Sequence, residues 1–303
     1  MLPGMPGQRS AKRLKLRVAI VGAGNLASAL AVALQGAGYR VEQIISRDRS
    51  QSLRRARRLA LEVGALAVTA GKAHIEAEVV WFCVPDGAIA GAATALQAAA
   101  DWSRKVALHS SGALTSDELA QLRTRGAAVA SVHPMMTFVR GSRPSLVGVP
   151  FAIEGDVAAV RMARHIVKDL GGRAYSIRKE DKAAYHAWGT FASPLLTALL
   201  ATTEHVATAA GLQPEEAKRK MLPILKETLA NYAASGAARA FSGPMIRGDI
   251  DTVKRHLRVL RRMPVEKGVY ASLAHAALAY LPGKNKAPLE KALKLLRRTR
   301  NRS

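Results

Sequence analysis

The chain carries one cysteine, Cys83, in 303 residues. That excludes an intramolecular disulfide and any metal site built on a cysteine cluster. Aromatic residues are only 5% of the chain. The core must therefore be aliphatic, and the interleaved aromatics that stack on nucleobases are missing. No uninterrupted apolar run reaches the roughly 18 residues of a membrane span. The longest candidate, 268–281, contains Ser272 and His275 and ends at Pro282-Gly283. A secretory signal is not expected, because Leu2-Pro3-Gly4-Met5-Pro6-Gly7 breaks any helix and basic residues follow. These absences lead us to expect a soluble, cytoplasmic protein with no membrane partner and no metal.

Acidic residues are scarce too: 22 Asp and Glu stand against 46 Lys and Arg, a net charge of +24. The excess is patchy. Residues 1–17, 47–58, 254–267 and 284–303 carry +5, +5, +5 and +7, and the rest of the chain is nearly neutral. A diffusely basic nucleic-acid-binding protein is not the picture. No recognition-helix signature is present either. Nucleic-acid binding through the patches stays an alternative that the pattern disfavours.

What is present is an alternation. Short apolar, β-branched runs at 16–21, 41–45, 66–69, 79–84, 105–109, 128–133 and 151–154 read as strands. Helical stretches at 25–37, 50–63, 89–100 and 115–125 separate them. This is the pattern of a doubly wound parallel sheet. After about 176 only helical patterning is left, at 180–210, 214–235, 250–262, 265–280 and 287–299. The expected organisation is a basic leader (1–15), an α/β domain (16–177) and an all-helical C-terminal domain (178–303). Cys83 sits in an apolar run and reads as a buried, inert thiol.

Between the first strand and its helix stands Gly22-x-Gly24-x-x-Ala27. In such a turn the first glycine permits the tight bend, and the second lets the backbone approach a pyrophosphate. Ala27 lets strand and helix pack closely. The helix N-terminus, at Asn25 and Leu26, offers free N–H groups and a dipole to an anion. At the end of the second strand, NAD-binding proteins place an acidic residue for the ribose. Here Ser46-Arg47 stands instead, with Arg49, Arg54 and Arg55 close by. A hydroxyl and a guanidinium suit a 2′-phosphate, so the expected cofactor is NADP. Asp48 pulls the other way.

Ligands in open α/β sheets bind beyond the carboxyl ends of the strands. Three of those ends carry polar or turn-forming residues: Val84-Pro85-Asp86, His109-Ser110-Ser111-Gly112 and His133-Pro134. Val84, Pro85, Asp86 and Ser110 are expected beside the cofactor, and Ser111 and His133 beside the substrate.

The segments GAGNLASAL (22–30), CVPDGAI (83–89), LHSSGAL (108–114), SVHPMMTF (131–138), PFAIEGD (150–156), AYHAWGTFAS (184–193) and FSGPMIRGDIDTVKRHL (241–257) together resemble a known family. It joins a Rossmann-like domain to a C-terminal domain of unknown function, number 2520. It is related to pyrroline-5-carboxylate reductase, 3-hydroxyisobutyrate dehydrogenase and 6-phosphogluconate dehydrogenase. The resemblance implies an α/β, Rossmann-type parallel sheet followed by a helical domain like that of 6-phosphogluconate dehydrogenase, usually dimer-forming. It also implies NADP-linked oxidoreduction of a small substrate. One position departs from the family: the segment holding Tyr185, His186 and Ser193 usually runs on to Asn, and here Pro194 replaces it. Proline has no hydrogen-bonding side chain and interrupts the helix.

The expected activity is hydride transfer between NADP and a small carbonyl, 2-oxo acid or imine. His186, or Lys182 one turn earlier, would donate the proton. Arg247 would clamp a substrate carboxylate, and Asp249 would cap the helix after it. The principal alternative, favoured by Pro194, is a catalytically silent NADP-binding sensor or structural protein. The expected partners are the small-molecule substrate and a second copy of the chain, joined through the helical domain.

Overall fold

A computed structural model describes residues 15–294. The expected leader falls almost wholly outside them, as does the end of the last basic patch. The chain divides into two compact units, with the division between Thr190 and Phe191.

The first unit holds eight strands in one sheet: β1 (Arg17–Val21), β2 (Arg40–Ser46), β3 (Leu66–Thr69), β4 (Val79–Phe82), β5 (Val106–His109), β6 (Ala128–Pro134), β7 (Pro150–Gly155) and β8 (Arg173–Ser176). Their order is β3-β2-β1-β4-β5-β6-β7-β8. The helices are α1 (Asn25–Gly36), α2 (Ser50–Glu62), α3 (Ile89–Ala95), the short α4 (Ala120–Arg123), α5 (Val157–Asp169) and α6 (Lys182–Ala192), which runs into the second unit.

The apolar runs are continuous because the central strands are covered on both faces. Val18 and Ile20 of β1 join one core with Val79 and Trp81 of β4. Ala19 and Val21 join the opposite core with Val80 and Phe82. That is the period-two alternation of a strand, expressed with apolar residues on both sides.

The sheet differs from a wholly parallel one at a single joint. β7 runs antiparallel to β6, and β8 then runs parallel to β7. α5 and β8 were not foreseen. β8 is a four-residue edge strand, RAYS, with no apolar alternation. α5 buries Ala159, Ala163, Ile166 and Val167 along one face, at the i, i+4, i+7, i+8 spacing of an amphipathic helix.

The second unit is helical among its described residues: α7 (Pro194–Thr208), α8 (Pro214–Ala240), the one-turn α9 (Pro244–Arg247), α10 (Ile250–Leu260), α11 (Pro264–Tyr280) and α12 (Lys286–Lys294). The expected single helix over 180–210 is two. Ser193 leaves helical geometry at φ −129°, ψ −77°, and Pro194 starts α7 at its first turn. A proline there lacks only an N–H that would be unsatisfied anyway. The helix expected over 287–299 is described to Lys294, and its remainder lies outside the described residues. The core of this unit is small: Val253, Leu257, Ala274, Leu289 and Leu293, from α10, α11 and α12. Among the described residues, no helix is long and apolar enough to cross a membrane.

Candidate active site

The turn between β1 and α1 forms one wall of a cleft of about 440 Å³. Gly22, Gly24, Ser46, Arg47, Val84 and Pro85 line it, joined by Cys83, Ser52 and Arg55. The two glycines have different reasons to be there. Gly22 has φ +109°, and a Cβ on it would collide with the carbonyl oxygen of Cys83. The fold itself requires that glycine. Gly24 has an ordinary φ of −85°, and a Cβ on it would meet nothing within 4 Å. No contact within the protein accounts for it. A group lying against the backbone at this point would.

α1 begins without a side-chain cap and without an acidic residue in its first turn. The N–H groups of that turn are therefore open to an anion. Asn25 does not close them. Its amide donates to the carbonyl of Phe138 (3.0 Å), tying the loop after β6 to the start of α1. Leu26 is half-buried in the same turn.

Ser46 is buried at the end of β2 and donates to the carbonyl of Arg47 (3.2 Å). Arg47, Arg49, Arg54, Arg55, Arg57 and Arg58 are exposed. None of them forms an ion pair among the described residues. The residues present fit an adenosine 2′-phosphate: a hydroxyl, a guanidinium at the strand end and a positive field in which Asp48, exposed and in no ion pair among the described residues, is the one acid of 47–58. Cys83 is half-buried against the cleft, and burial pushes its thiol up to about 12. It stays a thiol.

A second group of side chains gathers at the ends of β5 and β6 and on α6. His109 is fully buried and uses both ring nitrogens locally. Nδ1 accepts from the N–H of Ser111 (3.1 Å), and Nε2 faces the carbonyl of Thr115 (2.9 Å). The Ser111 hydroxyl accepts from the N–H groups of Ala113 and Leu114 (3.2 and 2.9 Å), so it shapes the turn from inside. Ser110 lies one residue earlier and accepts from the indole of Trp81 (2.8 Å).

Beneath that turn lies Lys182, 1% exposed. Its ammonium donates to the carbonyl of Ser111 (3.0 Å) and to Ser131 Oγ (2.6 Å). The amine expected to face an open cleft is instead sealed between α6, β6 and the turn. Burial pushes it down to about 8, against the opposing pull of Glu154 and Asp86. Glu154 is itself held by the N–H and hydroxyl of Ser116 (2.6 and 2.9 Å).

His133 and His186 meet over Gly112. A Cβ at Gly112 would stand 2.9 Å from His133 Nε2 and 2.8 Å from His186 Cδ2. The two rings lie edge to face, 6.2 Å between centroids. His186 is exposed, and His133 is half-buried. Burial, and then the charge of Lys182, hold His133 down to about 4, so its imidazole is neutral. Asp86, exposed at the end of β4, acts on the same cluster with the opposite sign.

The first unit therefore brings together Ser111, His133, Lys182 and His186. It places Gly22, Gly24, Ser46, Arg47, Val84 and Pro85 around the cleft. Arg247 belongs to the second unit, exposed at the end of α9 and in no ion pair among the described residues. Asp249 caps α10, accepting from the N–H and hydroxyl of Thr252 (3.0 and 2.7 Å). Among the described residues no group of three or more His, Cys, Asp and Glu is placed to hold a metal. Gly112 and Ser52 were not anticipated as parts of the site. Ser52 gives no sequence signal, since it is one serine of an arginine-rich helix.

Residues 3–134 match the model of the Rossmann-like domain, and residues 149–277 match the domain of unknown function DUF2520. No curated protein matches the chain. Among solved structures, a provisionally assigned NADP oxidoreductase from Bacteroides fragilis is 24% identical. The match covers 86% of this chain and 97% of that one, with a TM-score of 0.73. An imine reductase from Myxococcus stipitatus, in complex with NADP+, is 15% identical over 90% of this chain and 98% of that one (TM-score 0.62). A pyrroline-5-carboxylate reductase from Coxiella burnetii is 15% identical over 92% and 98% (TM-score 0.56). At these identities the likeness is one of fold.

Proposed function

We propose that this chain, a Rossmann-like domain joined to DUF2520, is an NADP-dependent oxidoreductase acting on a small carbonyl, 2-oxo acid or imine. The observation that carries the reading is the cleft around Gly24. An uncapped helix start, a glycine that no contact among the described residues requires and an arginine group unpaired among them surround one cavity. Two of the solved structures of this fold are named for imine and pyrroline-5-carboxylate reduction, and one of these holds NADP+.

In this reading the N–H groups of α1 hold the diphosphate, and Ser46 and Arg47 hold the 2′-phosphate. When bound, the cofactor supplies the hydride. The substrate lies over Gly112, between His133 and His186. Lys182 braces the Ser111 turn from beneath and adds positive potential where negative charge develops on the substrate. Arg247 is proposed as the clamp for a carboxylate. The test is NADPH consumption over a panel of 2-oxo acids, β-keto acids and cyclic imines. Turnover of at least one class is expected. NADPH binding with no turnover on any would favour the silent sensor, the reading that Pro194 supports.

We also propose a homodimer through the helical unit. α8, whose helical geometry breaks at Gly236 (φ +73°, ψ 168°), buries only Ala217. Ile224, Leu229 and Tyr232 on it are 68%, 59% and 59% exposed. Large apolar side chains left this exposed along one helix favour a partner surface. Sedimentation should give twice the chain mass, and a monomer at micromolar concentration would contradict this.

A further inference from the structure

We propose that Tyr185 is a positioning residue that fixes the tautomer of His133. The ring hydrogen sits on Nε2, turned toward Gly112, and His133 donates from there to the oxygen of a carbonyl substrate. This rests on the reductase reading, and narrows its substrate class from imines to carbonyls.

His133 Nδ1 lies 2.8 Å from the hydroxyl of Tyr185. The two rings meet edge to face at 5.4 Å and 86°. Tyr185 is 7% exposed. Burial, reinforced by the neighbouring Tyr175 hydroxyl, holds its phenol protonated. A buried phenol beside a neutral imidazole has one hydrogen to give; the Tyr175 hydroxyl lies nearby but forms no hydrogen bond with it among the described residues, so Nδ1 is the acceptor. The imidazole hydrogen is then on Nε2.

Nε2 is the nitrogen with nothing to do inside the protein. Among the described residues it has no hydrogen-bond partner, and it is not among the sealed, unpartnered polar atoms. It looks across Gly112, where only the absence of a Cβ leaves room. His109 is the contrast within the same cluster: both of its nitrogens are spent on the 109–115 turn. The groups acting on His133 are Lys182 and His186, from α6, Asp86, after β4, and His109, on β5. Three of these four lower its affinity for a proton, and only Asp86 raises it.

A neutral N–H suits a carbonyl. It polarises C=O without carrying a charge of its own, whereas an imine is activated for hydride addition as its protonated iminium, whose nitrogen has no lone pair left to accept the N–H. Hydride addition to the carbonyl carbon moves the π pair onto oxygen. The alkoxide is held by His133 Nε2–H and takes its proton from solvent on the His186 side. His133 and Tyr185 keep their own protons.

The experiment reads the tautomer directly, by long-range proton–nitrogen correlation on 15N-histidine-labelled protein, with His133→Gln to assign the signal. Wild type is expected to show the hydrogen on Nε2, with no protonation between pH 7 and 5. Tyr185→Phe is expected to mix the two tautomers and lower kcat on carbonyl substrates about tenfold or more. NADPH affinity should stay within about twofold of wild type, since the phenol is not part of the cofactor cleft. A wild-type hydrogen on Nδ1, or an unchanged tautomer in Tyr185→Phe, overturns the proposal. The wild-type spectrum alone decides it if the variant does not fold. Failure of NADPH to bind would sink the reductase reading and leave the tautomer result standing.

Discussion

Gly22 and Gly24 lie two residues apart in one turn, yet alanine at each should do opposite things. At Gly22 the new Cβ would force a backbone at φ +109°, a region that costs a non-glycine residue about 1–3 kcal/mol. It would also press on the carbonyl of Cys83, so β1 and β4 must separate or the turn must shift. Overpacking of that kind costs roughly another 1–3 kcal/mol. Gly22→Ala should therefore lose about 2–6 kcal/mol, a large part of a typical domain's stability. At Gly24 the backbone is extended and the space is open. Gly24→Ala should cost under about 1 kcal/mol, the difference between glycine and alanine as a helix N-cap. It should, however, push a diphosphate off the α1 N–H groups and weaken NADPH binding by at least about tenfold, or 1.4 kcal/mol. Chemical denaturation and fluorescence titration with NADPH on the same two variants separate these effects. If Gly24→Ala bound NADPH as wild type does, the assignment of this turn to a diphosphate would be wrong.

Arg47→Ala should weaken NADPH about 10- to 100-fold, the worth of a charge-assisted hydrogen bond, and leave NADH nearly unchanged. Equal losses for both cofactors in a titration would remove Arg47 from the 2′-phosphate. Acid should destabilise the first unit through His109 and His133. Both are held down to about 4 from 6.5, mainly by burial. Between those values the unfolded chain takes up protons that the native state refuses, so stability falls as pH drops through this window. The loss is roughly 2–3 kcal/mol for each histidine. Denaturation midpoints at pH 7 and 4.5 read it, and His109→Gln should flatten the dependence; a pH-independent midpoint in wild type would contradict the burial of both rings.

The dinucleotide turn and most of the sheet were legible because their signals are local. Strands buried on both faces show as apolar runs, and Gly22-x-Gly24 sits where strand passes to helix. The antiparallel joint at β6–β7 had no such signal, because chain direction in a sheet is set by the connection and not by strand composition. β8 escaped because an edge strand of four residues need not be apolar. The site was half legible. Strand-end position singled out His133 and Ser111, since ligands gather there. Which of them faces inward was not legible: Ser111 closes a turn with its own neighbours, and Lys182 reaches across from α6 into the same seam. Such pairings join residues 71 and 51 positions apart in the chain, and no spacing rule encodes them. The same holds for Tyr185, 52 residues from His133. The basic face at 254–267 has no explanation in the structure, where, among the described residues, Lys254 is the one Lys or Arg of the stretch in an ion pair, to Asp251.

The most direct test of the central claim follows the hydride. The protein is incubated with NADPH deuterated at the transferable position of the nicotinamide and with a panel of small carbonyls and imines. Mass spectrometry then reads the reduced products. The account predicts one deuterium on the former carbonyl carbon of at least one 2-oxo acid or related carbonyl, formed faster from NADPH than from NADH. NADPH bound at the Gly24 turn with no deuterium in any product would contradict it.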